Sequence, residues 1–153
     1  DYGAIRAELE AMDIREPGPG EVSRAVIAIR NRKLPDPAKL GNSGSFFKNP
    51  VIPRAQFERL KASFPDLPGY PATLPGETGT VSGVKVPAGW LIDALGLKGT
   101  RRGDAGIHKH QALVLVNYGH ASGADIANLA KEVQHAVMER FAIRLEPEVN
   151  IVP

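Results

Sequence analysis

Proline sets how long any regular element of this chain can be. Thirteen of the 153 residues are prolines. Inside a helix a proline removes a hydrogen bond and clashes with the preceding turn, and in a central strand it removes a ladder bond. Outside residues 88–146, which hold no proline, the chain must therefore be built from short pieces. Asp1 is positioned to cap a helix running to about Met12, with Ile5 and Leu9 on one face, and Glu16-Pro17-Gly18-Pro19-Gly20 breaks it. A second helix is expected over residues 21–33, where Val22, Ala25, Val26 and Ile29 recur at helical spacing, and Pro35-Asp36-Pro37 stops it. Pro53 starts a helix bearing Phe57, Leu60 and Phe64, and residues 65–75 form a proline-rich loop with Tyr70 in its middle. Residues 80–86 read as a strand. Pro87 then opens a helix through Trp90, Leu91, Ala94 and Leu95 that Gly96 and Gly99 end, with Trp90 expected in the core.

Between these pieces lies Gly41-Asn42-Ser43-Gly44-Ser45-Phe46-Phe47-Lys48-Asn49-Pro50, read as a tight turn entering a strand at Val51 and Ile52. Its glycines permit positive φ or a close approach of backbone to a flat ligand. Residues 105–108 and 112–117 read as two short strands, the second nearly all apolar and so buried on both faces. Ser122 followed by Asp125 resembles a capping box. Ile126, Leu129, Val133, Val137 and Phe141 then mark the clearest amphipathic helix, ending near Phe141. A final strand is expected over residues 145–152, where a period of two puts Glu146 and Glu148 on one face. Helices and strands in no regular βαβ order predict an α+β fold, a small mixed or antiparallel sheet packed with several helices. Residues 1–40 form a helical lead-in and residues 41–153 the core domain.

Composition narrows the chemistry. With 42% hydrophobic residues the chain can build one compact core. It begins at Asp1 rather than methionine, and the expectation is a piece of a longer protein. No run approaches the roughly 20 apolar residues that span a bilayer, so a soluble protein without membrane contact is expected. The absence of cysteine removes thiol nucleophiles, thiolate metal sites and disulfides, and is compatible with a cytoplasmic protein. A formal charge of +2 is too small for a nucleic-acid partner. Basic residues instead cluster locally at residues 30–33 and 98–102, either as solvated surface or as a site for a phosphorylated ligand. The chain carries no phosphate-binding glycine loop, no dinucleotide fingerprint and no His-Glu-x-x-His zinc helix.

Four features stand above this background. His108 and His110, two apart on an expected strand, share a face but lack a third ligand, so no metal site is expected. Gln111 points the other way, and either reads a ligand or satisfies buried backbone. Glu146 and Glu148 are solvated carboxylates unless a pocket encloses them. Ser45 lacks the Gly-x-Ser-x-Gly setting of a nucleophile. As a proton donor at neutral pH a serine suits only a strongly basic acceptor, such as a carbanion or enolate.

The motifs themselves resemble a family. Lys33-Leu34-Pro35-Asp36-Pro37 and the segment 41–50 are similar to the signature of the UDP-N-acetylenolpyruvoylglucosamine reductases, flavoenzymes of peptidoglycan precursor synthesis. In the same order follow Pro68-Gly69-Tyr70-Pro71, Lys85-Val86-Pro87-Ala88-Gly89-Trp90-Leu91-Ile92, His110-Gln111-Ala112-Leu113-Val114-Leu115-Val116-Asn117 and Leu145-Glu146-Pro147-Glu148-Val149. The likeness covers nearly the whole chain. It implies hydride transfer from NADPH to FAD and on to the enolpyruvyl double bond of UDP-N-acetylglucosamine enolpyruvate, giving UDP-N-acetylmuramate. Within it, Ser45 matches the serine that protonates the resulting enolate, and Glu148 matches the glutamate that stabilises its carboxylate. To donate a hydrogen bond there Glu148 must hold or share a proton, which needs burial or a neighbouring like charge. The resemblance also implies Lys33 for the diphosphate, Asn49 and Tyr70 for the nucleotide-sugar, and Gln111 near the enolpyruvyl carboxylate.

Two family parts have no match here. These are the N-terminal FAD-binding domain, expected as this chain's partner within the same protein, and an additional tyrosine on a loop that closes over the substrate. The chain alone is therefore expected to bind substrate and supply the proton donor without turnover. The alternative is a stand-alone nucleotide-sugar-binding module without redox activity.

Overall fold

The computed structural model describes residues 2–79 and 81–151. The chain divides into two compact units, residues 1–40 and 41–153.

The first unit is a helical hairpin of α1 (Tyr2–Ala11) and α2 (Pro19–Lys33). The capping role read for Asp1 falls outside the described residues. Pro19 occupies the first turn of α2, where a missing N–H is harmless, and the Glu21 carboxylate accepts the Gly18 amide at 3.0 Å. Helix α2 ends because Leu34 precedes Pro35, and a residue before proline is pushed out of the α region; Leu34 is extended at φ −114°, ψ 145°. A half-buried ion pair between Glu8 and Arg32 joins the two helices.

The second unit is α+β, as two antiparallel sheets rather than one. A four-stranded sheet has the order β1-β7-β6-β5, from β1 (Gly41–Ser45), β5 (Arg101–Arg102), β6 (Ala105–Ile107) and β7 (Val114–Asn117). A three-stranded sheet has the order β2-β4-β3, from β2 (Val51–Pro53), β3 (Tyr70–Ala72) and β4 (Gly83–Lys85). Helices α3 (Arg54–Ser63), α4 (Ala88–Ala94) and α5 (Gly123–Phe141) complete it. The amphipathic α5 buries Leu129, Val133, Val137 and Phe141 and opens on the expected box, with the Asp125 amide donating to Ser122 Oγ and the Ser122 amide to the Asp125 carboxylate. Strand β7 is buried along Val114, Leu115 and Val116, as an apolar run predicts. Trp90 is partly buried and packs edge-on against Phe64, which in turn meets Phe141.

Several expectations are corrected, among them the loop expected over residues 65–75, of which Tyr70–Ala72 forms β3. Residues 41–45 form a strand, not a turn, because the edge of the buried β7 supplies the pairing that Gly-Asn-Ser-Gly-Ser has no propensity to seek. Only Gly83–Lys85 of the strand expected over 80–86 is realised, and Thr80 falls outside the described residues. The final strand reduces to one bridge, Pro147 with Phe47, since Pro147 has no amide to extend a ladder. The period of two survives nonetheless, with Ile143 and Leu145 buried and Glu146 and Glu148 both exposed.

Candidate functional site

Ser45 ends β1 immediately after an irregularity in pairing. Gly41 and Asn42 face Asn117 and Val116, but the next partners are Ser45 and Val114. Two residues of β1, Ser43 and Gly44, thus stand opposite the single Leu115. Such a bulge re-aims the side chain that follows it. Gly44 adopts φ +75°, and its amide donates to Asn42 Oδ1 at 3.0 Å. A Cβ at Gly44 would meet nothing within 4 Å, so glycine is required there by conformation and not by space. Ser45 is exposed, and its hydroxyl makes one long contact, 3.5 Å to the Phe47 carbonyl. At that length the hydroxyl is nearly free to turn to a ligand.

Phe46 gathers the other candidates. Its amide donates to the Leu113 carbonyl at 2.8 Å, and its carbonyl accepts the Glu148 amide, also at 2.8 Å. One buried residue therefore fixes the turn that carries Gln111 on one side and the segment that carries Glu148 on the other. Gln111 is held in turn by its carbonyl, which accepts the Val114 amide at 2.9 Å, leaving its half-buried side chain to point where the turn sends it. Phe46 also borders a concavity of about 330 Å³ lined in addition by Leu115, Ile126 and Val149.

Asn49 and Tyr70 belong to a second group. Asn49 Oδ1 accepts the Ala88 amide at 2.9 Å, which satisfies an otherwise orphan donor at the start of α4. Its Nδ2 has no partner among the described residues and can donate outward. Tyr70 is 58% exposed on β3, directly opposite Lys85 of β4, whose other neighbour in register is Val51. Val51, Lys85 and Tyr70 thus share one face. Lys85 was not singled out from sequence. Its alternation with buried Val84 and Val86 could have shown it pointing outward, but only strand order puts it beside Tyr70. Lys33 closes α2 in the other unit, in a last turn that also holds Arg30 and Arg32.

The histidines do not lie on a strand as expected, because β6 ends at Ile107. The His108 amide donates to the Val114 carbonyl, the His110 amide donates to His108 Nδ1 at 3.4 Å, and the two rings meet edge to face at 5.8 Å. Partial burial, with the charges of His110 and Lys109 adding to it, holds His108 below the usual histidine range. Among the described residues no group of three His, Asp or Glu side chains could hold a metal ion, and no helix is long and apolar enough to cross a membrane.

Residues 36–152 match the model of the family described as UDP-N-acetylenolpyruvoylglucosamine reductase, C-terminal domain. The chain belongs to this family. It is 56% identical over 151 residues to the UDP-N-acetylenolpyruvoylglucosamine reductase of Flavobacterium johnsoniae, covering 99% of this chain and 43% of that protein. The reductase of Chromobacterium violaceum is 55% identical, with 99% and 42% covered. Its fold also matches the crystal structure of UDP-N-acetylenolpyruvylglucosamine reductase from Thermus caldophilus, with TM-score 0.51 and 27% identity over 91% of this chain and 37% of that one. The chain therefore spans about two fifths of the length of the curated relatives it matches. That family membership rests on residues reaching from just beyond α2 through both sheets and α5 to the segment carrying Glu148.

Proposed function

We propose that this chain is the substrate-binding and proton-donating part of an UDP-N-acetylenolpyruvoylglucosamine reductase, which reduces UDP-N-acetylglucosamine enolpyruvate to UDP-N-acetylmuramate in the cytoplasm. The observation that carries the reading is the convergence on Phe46. Its two backbone hydrogen bonds bring the neighbour of Ser45, the Gln111 turn and Glu148 into one frame, as a reaction at a single small group requires.

Ser45 holds a proton on an exposed oxygen that is only weakly engaged, and an enolate carbon is basic enough to take it. Gln111 supplies amide donors for the substrate carboxylate. Glu148 is exposed, and in this reading it is the bound substrate that covers it and lets it share a proton with that carboxylate. Lys33 carries charge to the diphosphate, while Asn49 Nδ2, Tyr70 and Lys85 receive the nucleotide-sugar. FAD, reduced by NADPH, is the proposed hydride source. Gly41 is paired with Asn117 of β7 and Gly44 stands in the bulge that precedes Ser45; FAD is assigned mainly to parts of the enzyme outside this chain.

The deciding experiment is Ser45→Ala in the complete reductase that carries this chain, assayed by NADPH oxidation and by UDP-N-acetylmuramate formation. Loss of a positioned general acid lowers turnover by about 10²- to 10⁴-fold, with substrate binding retained. Full activity in a folded variant would sink the proposal.

A further inference from the structure

Glu148 is carried by a segment with little ladder to hold it. The bridge between Phe47 and Pro147 is closed by two bonds, the Lys48 amide donating to the Glu146 carbonyl at 2.9 Å and the Glu148 amide to the Phe46 carbonyl at 2.8 Å. Lys48 therefore stands opposite Glu146. In antiparallel pairing the next carbonyl along, that of Leu145, points away from the partner segment, and Leu145 is fully buried. A buried carbonyl needs a donor from another element. Gln134 of α5 provides it, its Nε2 donating to the Leu145 carbonyl at 2.8 Å. The segment is thus clamped from both sides, by the backbone of residues 46–48 on one and by the Gln134 amide on the other. Gln56 makes a bond of the same kind to the Ala142 carbonyl at 2.9 Å, but that contact is exposed, where water can replace it.

We propose that Gln134 is a positioning residue for Glu148, fixing through the Leu145 carbonyl the place at which that carboxylate meets the substrate. The inference rests on the assignment of Glu148 above and names a residue which that assignment does not use. Pro147 stiffens the path between the two points, because its ring fixes φ and a displacement at Leu145 is carried on to Glu148. A carboxylate that shares a proton with the substrate carboxylate is sensitive to such a displacement, since that hydrogen bond weakens steeply with length and angle.

The test is steady-state kinetics of the complete reductase, arranged as a double-mutant cycle. Gln134→Glu keeps the shape of the side chain but sets an acceptor against the Leu145 carbonyl, and is expected to lower kcat about tenfold with KM for NADPH unchanged. Gln134→Lys keeps a donor, as Lys61 does for the Leu67 carbonyl at 3.0 Å, and regains most of that loss. In a Glu148→Gln background, which is itself slow, Gln134→Glu costs at most about twofold more. A merely structural role for Gln134 would not produce this non-additivity. Should Gln134→Glu fail to fold, Gln134→Met removes the donor without adding charge and is read in the same way. Parent-like kcat in the folded variant, or an equal loss with and without the Glu148 carboxylate, overturns the proposal and leaves the reductase reading intact. Parent-like kcat in Glu148→Gln alone overturns the assignment of Glu148, and this inference with it.

Discussion

Phe46 shows how one buried residue can tie together segments that carry candidate site residues. Its ring is buried, and its amide and carbonyl each tie down a segment bearing a candidate site residue. The turn it holds also contains His108, whose Nδ1 accepts the His110 amide and so must be unprotonated. Burial, His110 and Lys109 depress this histidine in the folded chain. Its contribution to stability is therefore present above the ordinary histidine value of about 6.5 and is lost as pH falls through that value toward the lower folded one. Thermal unfolding followed between pH 8 and about 5 should show a decline in the parent that His108→Gln flattens. Identical pH profiles in the two would show that His108 carries no such linkage.

At the scale of elements, the long α5 is the scaffold on which the buried face of the four-stranded sheet rests, and side chains help secure its start. Ser122 and Asp125 satisfy each other's amides reciprocally. Removing the Ser122 oxygen leaves the Asp125 amide unpaired, so Ser122→Ala should cost about 1 kcal/mol, read as a fall in Tm of about 2–4 °C. Substrate affinity in the complete enzyme should not change, since this end of α5 lies outside the proposed contacts. The β1 edge depends differently on its surroundings. Its bulge is kept by Gly44 at φ +75° and by the Asn42 turn, and both devices serve to set the direction of Ser45.

For the whole molecule the question is which part carries its own core. Phe47, Leu67, Leu91, Ile92, Leu115 and Leu145 are all fully buried within residues 41–153. This unit should fold when produced without residues 1–40. The single tryptophan, Trp90, meets Phe64 at 6.1 Å and Phe141 at 6.2 Å between ring centroids, so its fluorescence reports that core. A single sigmoidal urea transition, coincident by fluorescence and circular dichroism, is the expected result. A broad transition that differs between the two probes would show that the unit is incomplete.

The sequence by itself determined those features whose cause lies within a few neighbouring residues. Pro35 ends α2 by acting on Leu34, Ser122 caps α5, and the apolar run of β7 announces its burial. The glycine-serine motif and the Pro147-Glu148 segment could likewise be singled out by composition and family likeness, together with a chemical reason why a serine there suits an enolate. What only the tertiary structure decided were pairings between residues far apart in the chain. Gly-Asn-Ser-Gly-Ser becomes a strand because β7 offers an unpaired edge, an influence that no local propensity encodes. The last segment keeps its alternation but not its ladder, because Pro147 lacks the donor a ladder needs. Lys85 reaches Tyr70, and Lys48 comes to stand opposite Glu146, through register alone. Register is set by which buried side chains can share one core, and that is a property of the assembled fold.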